Sequence, residues 1–155
     1  MALSESGIGL PGSYPADPTQ IAGIRRAVSD IARHCGAGDA TLTRLELAVT
    51  EAATNVVLHA YRRPMKAGRI HVCAGLVNGM FEVSIRDDGV GMSPHAESPG
   101  LGLGLTLMAH EADSCGIQTP PGGGTEVRLC FAVQRTGRLR SSRSCGEQAG
   151  AGATA

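Results

Sequence analysis

The chain has 155 residues, enough for one domain with a real core. Its 14 basic and 14 acidic residues cancel, which excludes a global field drawing it to nucleic acid or an anionic membrane. With two tyrosines, two phenylalanines and no tryptophan there is no stacking platform for single strands, and the five scattered cysteines form no CxxC pair. These counts predict reduced thiols, no zinc site and no disulfide framework. No basic and apolar leader opens the chain and no long apolar window follows, so the expectation is a cytoplasmic protein with no membrane contact.

In chain order, residues 1–9 are small and polar and are expected to be flexible. Leu10 to Tyr14 predicts a short edge strand, with Pro11 and Gly12 against it. Ile21, Ile24, Val28 and Ile31 recur at helical spacing, predicting a helix from Pro18 to about Cys35 that Gly36 and Gly38 end. Asp39 or Thr41 is positioned to cap a second helix running to about Tyr61, before Pro64. The period then changes. Ile70, Val72, Ala74 and Leu76 alternate, as do Phe81, Val83 and Ile85, with Asn78-Gly79 between them. Asn-Gly at that place predicts a hairpin, because both residues tolerate the positive φ of a type I′ turn. A helix is expected from about Leu103 to Asp113, then strands over Cys115–Thr119 and Thr125–Val133 joined by Pro120-Pro121-Gly122-Gly123-Gly124. Arginines, Gly, Ala and Ser dominate after Gln134, so residues 134–155 are expected to form a disordered tail. The fold class is α/β (α+β): a two-layer α/β sandwich with a mostly antiparallel sheet, its ordered part spanning residues 10–133.

Three places on this frame carry chemistry. Glu51, Asn55 and His59 are spaced four apart on the second helix, so at about 3.6 residues per turn they share one face. Ala48, Ala52, Val56 and Ala60 beside them are apolar, and a carboxylate and an amide near a core ask for a partner. Either a ligand or a small closed network between Glu51 and Asn55 answers that demand. Asp87-Asp88-Gly89-Val90-Gly91 follows a hydrophobic strand: it is either an ordinary Asp-Gly turn or a carboxylate poised for a buried donor, with glycines that let a flat ring approach. Gly100-Leu101-Gly102-Leu103-Gly104 matches neither the dinucleotide fingerprint nor a P-loop, whose lysine is missing. Glycines entering a helix nevertheless let N–H groups approach an anion.

The order of these pieces is more specific than any one of them. E-x-x-x-N on a helix, D-x-G-x-G after a strand, G-x-G-x-G opening a helix and Gly122-Gly123-Gly124-Thr125 entering the last strand resemble the GHKL (Bergerat-fold) ATP-binding family. Leu47 to Asn55 followed by His59-Ala60-Tyr61 resembles its branch of anti-sigma factor serine/threonine kinases. That resemblance implies ATP and Mg²⁺ as cofactors, with Asn55 as metal ligand and Glu51 as the catalytic base. It implies Asp87 as acceptor for the adenine amine, Gly89 and Gly91 against the base, and Thr125 in support. Gly100, Gly102 and Gly104 would line the phosphate loop, and residues 92–99 would form a short lid with two prolines. The implied partners are an anti-sigma factor antagonist and a sigma factor, with a homodimer expected from the family. A non-catalytic ATP-dependent binding module and a histidine kinase catalytic domain are the alternatives.

Overall fold

The computed structural model describes residues 9–60, 68–89 and 101–134. Residues 1–8 of the expected loose segment 1–9, the whole lid at 92–99 and the tail beyond Gln134 lie outside the described residues, as do Gly91 and Gly100, while Gly9 opens a strand.

Five strands form one sheet: β1 (Gly9–Pro15), β2 (Arg69–Val77), β3 (Met80–Asp87), β4 (Ser114–Gln118) and β5 (Glu126–Ala132). Their order is β1-β2-β3-β5-β4, and every neighbouring pair is antiparallel. The hairpin between β2 and β3 turns at Asn78 and Gly79, with φ of 49° and 82°, the left-handed pair that the Asn-Gly dipeptide predicts. Pro11 and Pro15 are tolerated in β1 because it is an edge strand, where a missing N–H need not break a ladder.

Three helices cover one face of the sheet: α1 (Ile21–His34), α2 (Asp39–Asn55) and α3 (Leu101–Glu111). A short 3₁₀ turn at Pro18–Gln20 leads into α1, capped where the Asp17 carboxylate accepts from the Thr19 N–H at 2.8 Å. α1 ends in a Schellman motif. Gly36 takes φ 96°, Ala37 N–H donates to Ala32 O at 2.9 Å, and Gly36 N–H to Arg33 O at 3.1 Å. Alternation in the strands sends Ile70, Val72, Ala74, Phe81, Val83, Ile85, Val127, Leu129 and Phe131 inward against Ile24, Val28, Leu45, Val49 and Met108. The polar open face carries a network in which Glu126 accepts from Ser84 Oγ, Gln118 Nε2 and Arg128. No helix among the described residues is long and apolar enough to cross a membrane.

Three boundaries differ from expectation. Gly38, not Asp39 or Thr41, is the N-cap of α2, and no side chain caps it. Asp39 sits in the first turn instead, where its charge favours the helix N-terminus. α2 ends as an α-helix at Asn55, and Val56–Ala60 widen into a π turn. Thr50 and Thr54 hydroxyls donate to the carbonyls of Glu46 and Thr50, each at 2.7 Å, and such back-bonding loosens a helix just ahead of the wide turn. The α-helical spacing therefore holds from Glu51 to Asn55, and His59 lies in the π turn. Finally, α3 runs from Leu101 rather than from about Leu103, which puts Gly102 as well as Gly104 in its first turn.

Candidate functional site

The candidate residues lie on α2, in the first turn of α3 and at the end of β3. α2 is the central helix of its layer, packed on α1 and α3, and the π turn after Asn55 reaches β3. Asn55 is 6 % exposed, and its Nδ2 is one of two buried side-chain polar atoms among the described residues with no hydrogen-bond partner. A buried amide donor left unmet costs about 1–3 kcal/mol. Native proteins keep such groups where something else completes them. The closed Glu51–Asn55 network is not formed: the described contacts give neither side chain such a bond.

Gly104 faces both residues. A methyl group added there would lie 3.1 Å from Glu51 Cδ and 3.2 Å from Asn55 Nδ2, and would overlap Glu51 Oε1. The missing side chain is thus a notch that the Glu51 carboxylate fills. Because Gly104 is in the first turn of α3, this notch adjoins the four N–H groups that a helix leaves unpaired, where negative charge is favoured.

Asp87 ends β3 on the inner face and is 3 % exposed. Burial pushes its carboxyl above the usual 3.8, while bonds from the Gly89 N–H and from Thr125 pull against that rise. Gly89 N–H donates to Oδ1 at 2.9 Å, and the Asp87 N–H donates to Thr125 O at 2.9 Å. Thr125, 5 % exposed, also bonds the carboxylate through its side chain. Long-range pairing of β3 with β5 makes this cluster, bringing to the Asp87 carboxylate a donor 38 positions away in sequence.

One supporting residue was not singled out by sequence reasoning. Gly124, at φ 83°, lies directly on the backbone of Asp87 and Asp88: an added methyl would overlap Asp87 O and stand 2.9 Å from Asp87 C. The signal was the run of three glycines before Thr125, read as a turn. Gly124→Ala combines a left-handed alanine with a clash against backbone that cannot swing aside. It is expected to cost roughly 2–5 kcal/mol. Thermal melting should show a fall of about 10 °C or more.

The raised Asp87 carboxyl has a pH signature. A group whose folded pKa exceeds its unfolded value stabilises the fold below the unfolded pKa, and that contribution is lost as pH rises through the folded one. The window therefore opens near 3.8 and extends upward. Any ligand that needs the ionised carboxylate as acceptor should bind more weakly as pH falls through the same window. Asp87→Asn is expected to flatten both profiles; unaltered pH dependence of melting would show that another group titrates.

Among the described residues, Arg86 and Arg44 do not enter the site. Arg86 precedes Asp87 and so projects from the opposite, open face, level with His71 and Glu126. Arg44 is committed to the Glu111 carbonyl at 2.7 Å and to Asp113 at 2.8 Å, tying α2 to the far end of α3.

Residues 14–131 match the profile of the histidine kinase-like ATPase domain. The chain belongs to this family. Within it, the ATPase domain is 32% identical over 99 residues to the protein named anti-sigma F factor of Halalkalibacterium halodurans, covering 57% of this chain and 67% of that one. It is 32% identical over 123 residues to the serine-protein kinase RsbW of Bacillus licheniformis, covering 70% and 76% of the two chains. Among solved structures it resembles the RsbU and RsbW domains of a Mycobacterium tuberculosis protein, with TM-score 0.64 and 20% identity. That match covers 82% of this chain and 33% of the other, so this ATPase domain spans about a third of the larger chain. A histidine kinase domain from Erythrobacter litoralis is similar at TM-score 0.53 and 23% identity, which speaks for the shared fold alone.

Proposed function

We propose that the chain is an ATP-dependent serine/threonine protein kinase of the partner-switching kind, with residues 10–133 as its working domain. The observation that carries this reading is the convergence of the Glu51 carboxylate and the unpartnered Asn55 amide on Gly104, in the first turn of α3. The names of its relatives, anti-sigma F factor and serine-protein kinase RsbW, support it.

Asp87 accepts from the adenine amine, held by Gly89 and Thr125, and Gly89 and Gly91 lie beside the base. A site built on that bond rejects guanine, which presents a carbonyl there. Asn55 offers an amide oxygen suited to Mg²⁺, and its unmet Nδ2 donor fits an acceptor such as a phosphate oxygen. Mg²⁺ bound there would neutralise charge on the phosphate oxygens. Gly100, Gly102 and the N-terminal amides of α3 serve the phosphates from the other side. Glu51 takes the proton of an incoming serine or threonine hydroxyl as its oxygen bonds to the γ-phosphorus and the bridging oxygen leaves with ADP.

The acceptor is an antagonist protein, and a sigma factor is the alternative occupant of the protein surface. Phosphorylation places a near-dianion at the contact and so releases one partner for another. The working form is a cytoplasmic homodimer. Incubation with γ-labelled ATP and candidate antagonist proteins tests the reading. Acid-stable label on a partner hydroxyl is expected. Acid-labile label on histidine, or tight ATP binding with no transfer to any candidate, contradicts it.

A further inference from the structure

We infer that Gly104 is a positioning residue for the Glu51 carboxylate, rather than one more glycine whose purpose is to admit phosphate. The inference rests on the kinase reading of the site and refines one residue within it. Gly104 lies inside α3 at a right-handed position: it is absent from the glycines with positive φ, so backbone freedom does not explain it. What does explain it is space. Its α-carbon faces α2, and the atoms standing where a side chain would go are Glu51 Oε1, Glu51 Cδ and Asn55 Nδ2.

The consequences of filling that space are lopsided. Glu51 Oε1 would be overlapped outright, whereas Asn55 Nδ2, at 3.2 Å from the added carbon, need give only slightly. Glu51 ends a flexible side chain with no described hydrogen bond or ion pair to hold it, so it can swing away without disturbing the helix. The empty notch is therefore what keeps the carboxylate beside Asn55. Contrast Gly124, where an added methyl meets immobile backbone and the fold itself suffers. At Gly104 the fold and the metal ligand are spared, and the base is displaced. A base moved by about 1 Å from its productive place loses about 100-fold in rate.

The test is Gly104→Ala, alone and in a Glu51→Ala background, with water as the hydroxyl acceptor so that no protein partner is needed. In Mg·ATP hydrolysis, Gly104→Ala is expected to lower kcat about 100-fold with little change in KM. In the Glu51→Ala background it should change neither, since the side chain it displaces is gone. Without nucleotide, NMR of the wild type should show a Gly104 α-proton to Glu51 γ-proton contact, and Gly104→Ala should shift the Glu51 carboxyl resonance. An equal loss of ATP affinity in both backgrounds would overturn the inference, since it marks a phosphate-contacting glycine. So would a Glu51 resonance that ignores the substitution. A wild type that binds no Mg·ATP would sink the kinase reading instead, and the NMR arm would still decide the notch.

Discussion

Asn55→Ala is expected to abolish Mg·ATP binding while leaving the fold as stable as before. The two halves of this expectation have one cause. Asn55 is buried with an unmet donor, so in the nucleotide-free protein the amide is a burden on stability of about 1–3 kcal/mol. Alanine relieves that burden and leaves a small gap, and the two effects offset. The ligand loses its only proposed side-chain contact to the metal. Removing groups that merely support a metal ligand costs about 10–100-fold in affinity, so loss of the ligand itself should exceed about 100-fold. Calorimetric titration with Mg·ATP and a melting curve together check it. Unchanged affinity would remove the nucleotide-site assignment, and a large fall in melting temperature would show Asn55 to be structural.

Glu51→Gln is expected to keep ATP and lose transfer. Glutamine has the shape of glutamate, so it still fits the Gly104 notch and leaves Asn55 undisturbed. It cannot take a proton. General-base catalysis contributes about 10²–10⁴-fold, and the transfer rate to a hydroxyl acceptor should fall by that factor at unchanged ATP affinity. Single-turnover transfer separates the two quantities. Undiminished transfer would mean that Glu51 is not the base.

Much of this site was legible in the residues because its signals are local. Four-residue spacing placed Glu51 and Asn55 on one face, and Asn78-Gly79 announced a hairpin whose φ values follow from those two residue types. What stayed hidden depends on contacts between distant segments. Apolar spacing does not distinguish an α turn from a π turn, so the change after Asn55 could not be read. Gly104 was expected at the opening of a helix, but only the packing of α3 on α2 shows which atoms stand where its side chain would be. The partners of Asp87 could not be read either, because the pairing of β3 with β5 is what brings Thr125 and Gly124 to it. The capping of α2 was misjudged for a smaller reason: Asp39 suits both the cap and the first turn, and Gly38 took the cap.

The central claim is that Asp87 and the Glu51–Asn55 pair face one nucleotide from two sides. A structure of the chain with Mg²⁺ and a non-hydrolysable ATP analogue measures this directly. The account predicts the adenine amine donating to the Asp87 carboxylate, the metal on the Asn55 side-chain oxygen, and the Glu51 carboxylate beside Gly104 and free to meet an acceptor hydroxyl. A nucleotide bound away from Asp87, or a metal held without Asn55, would contradict it.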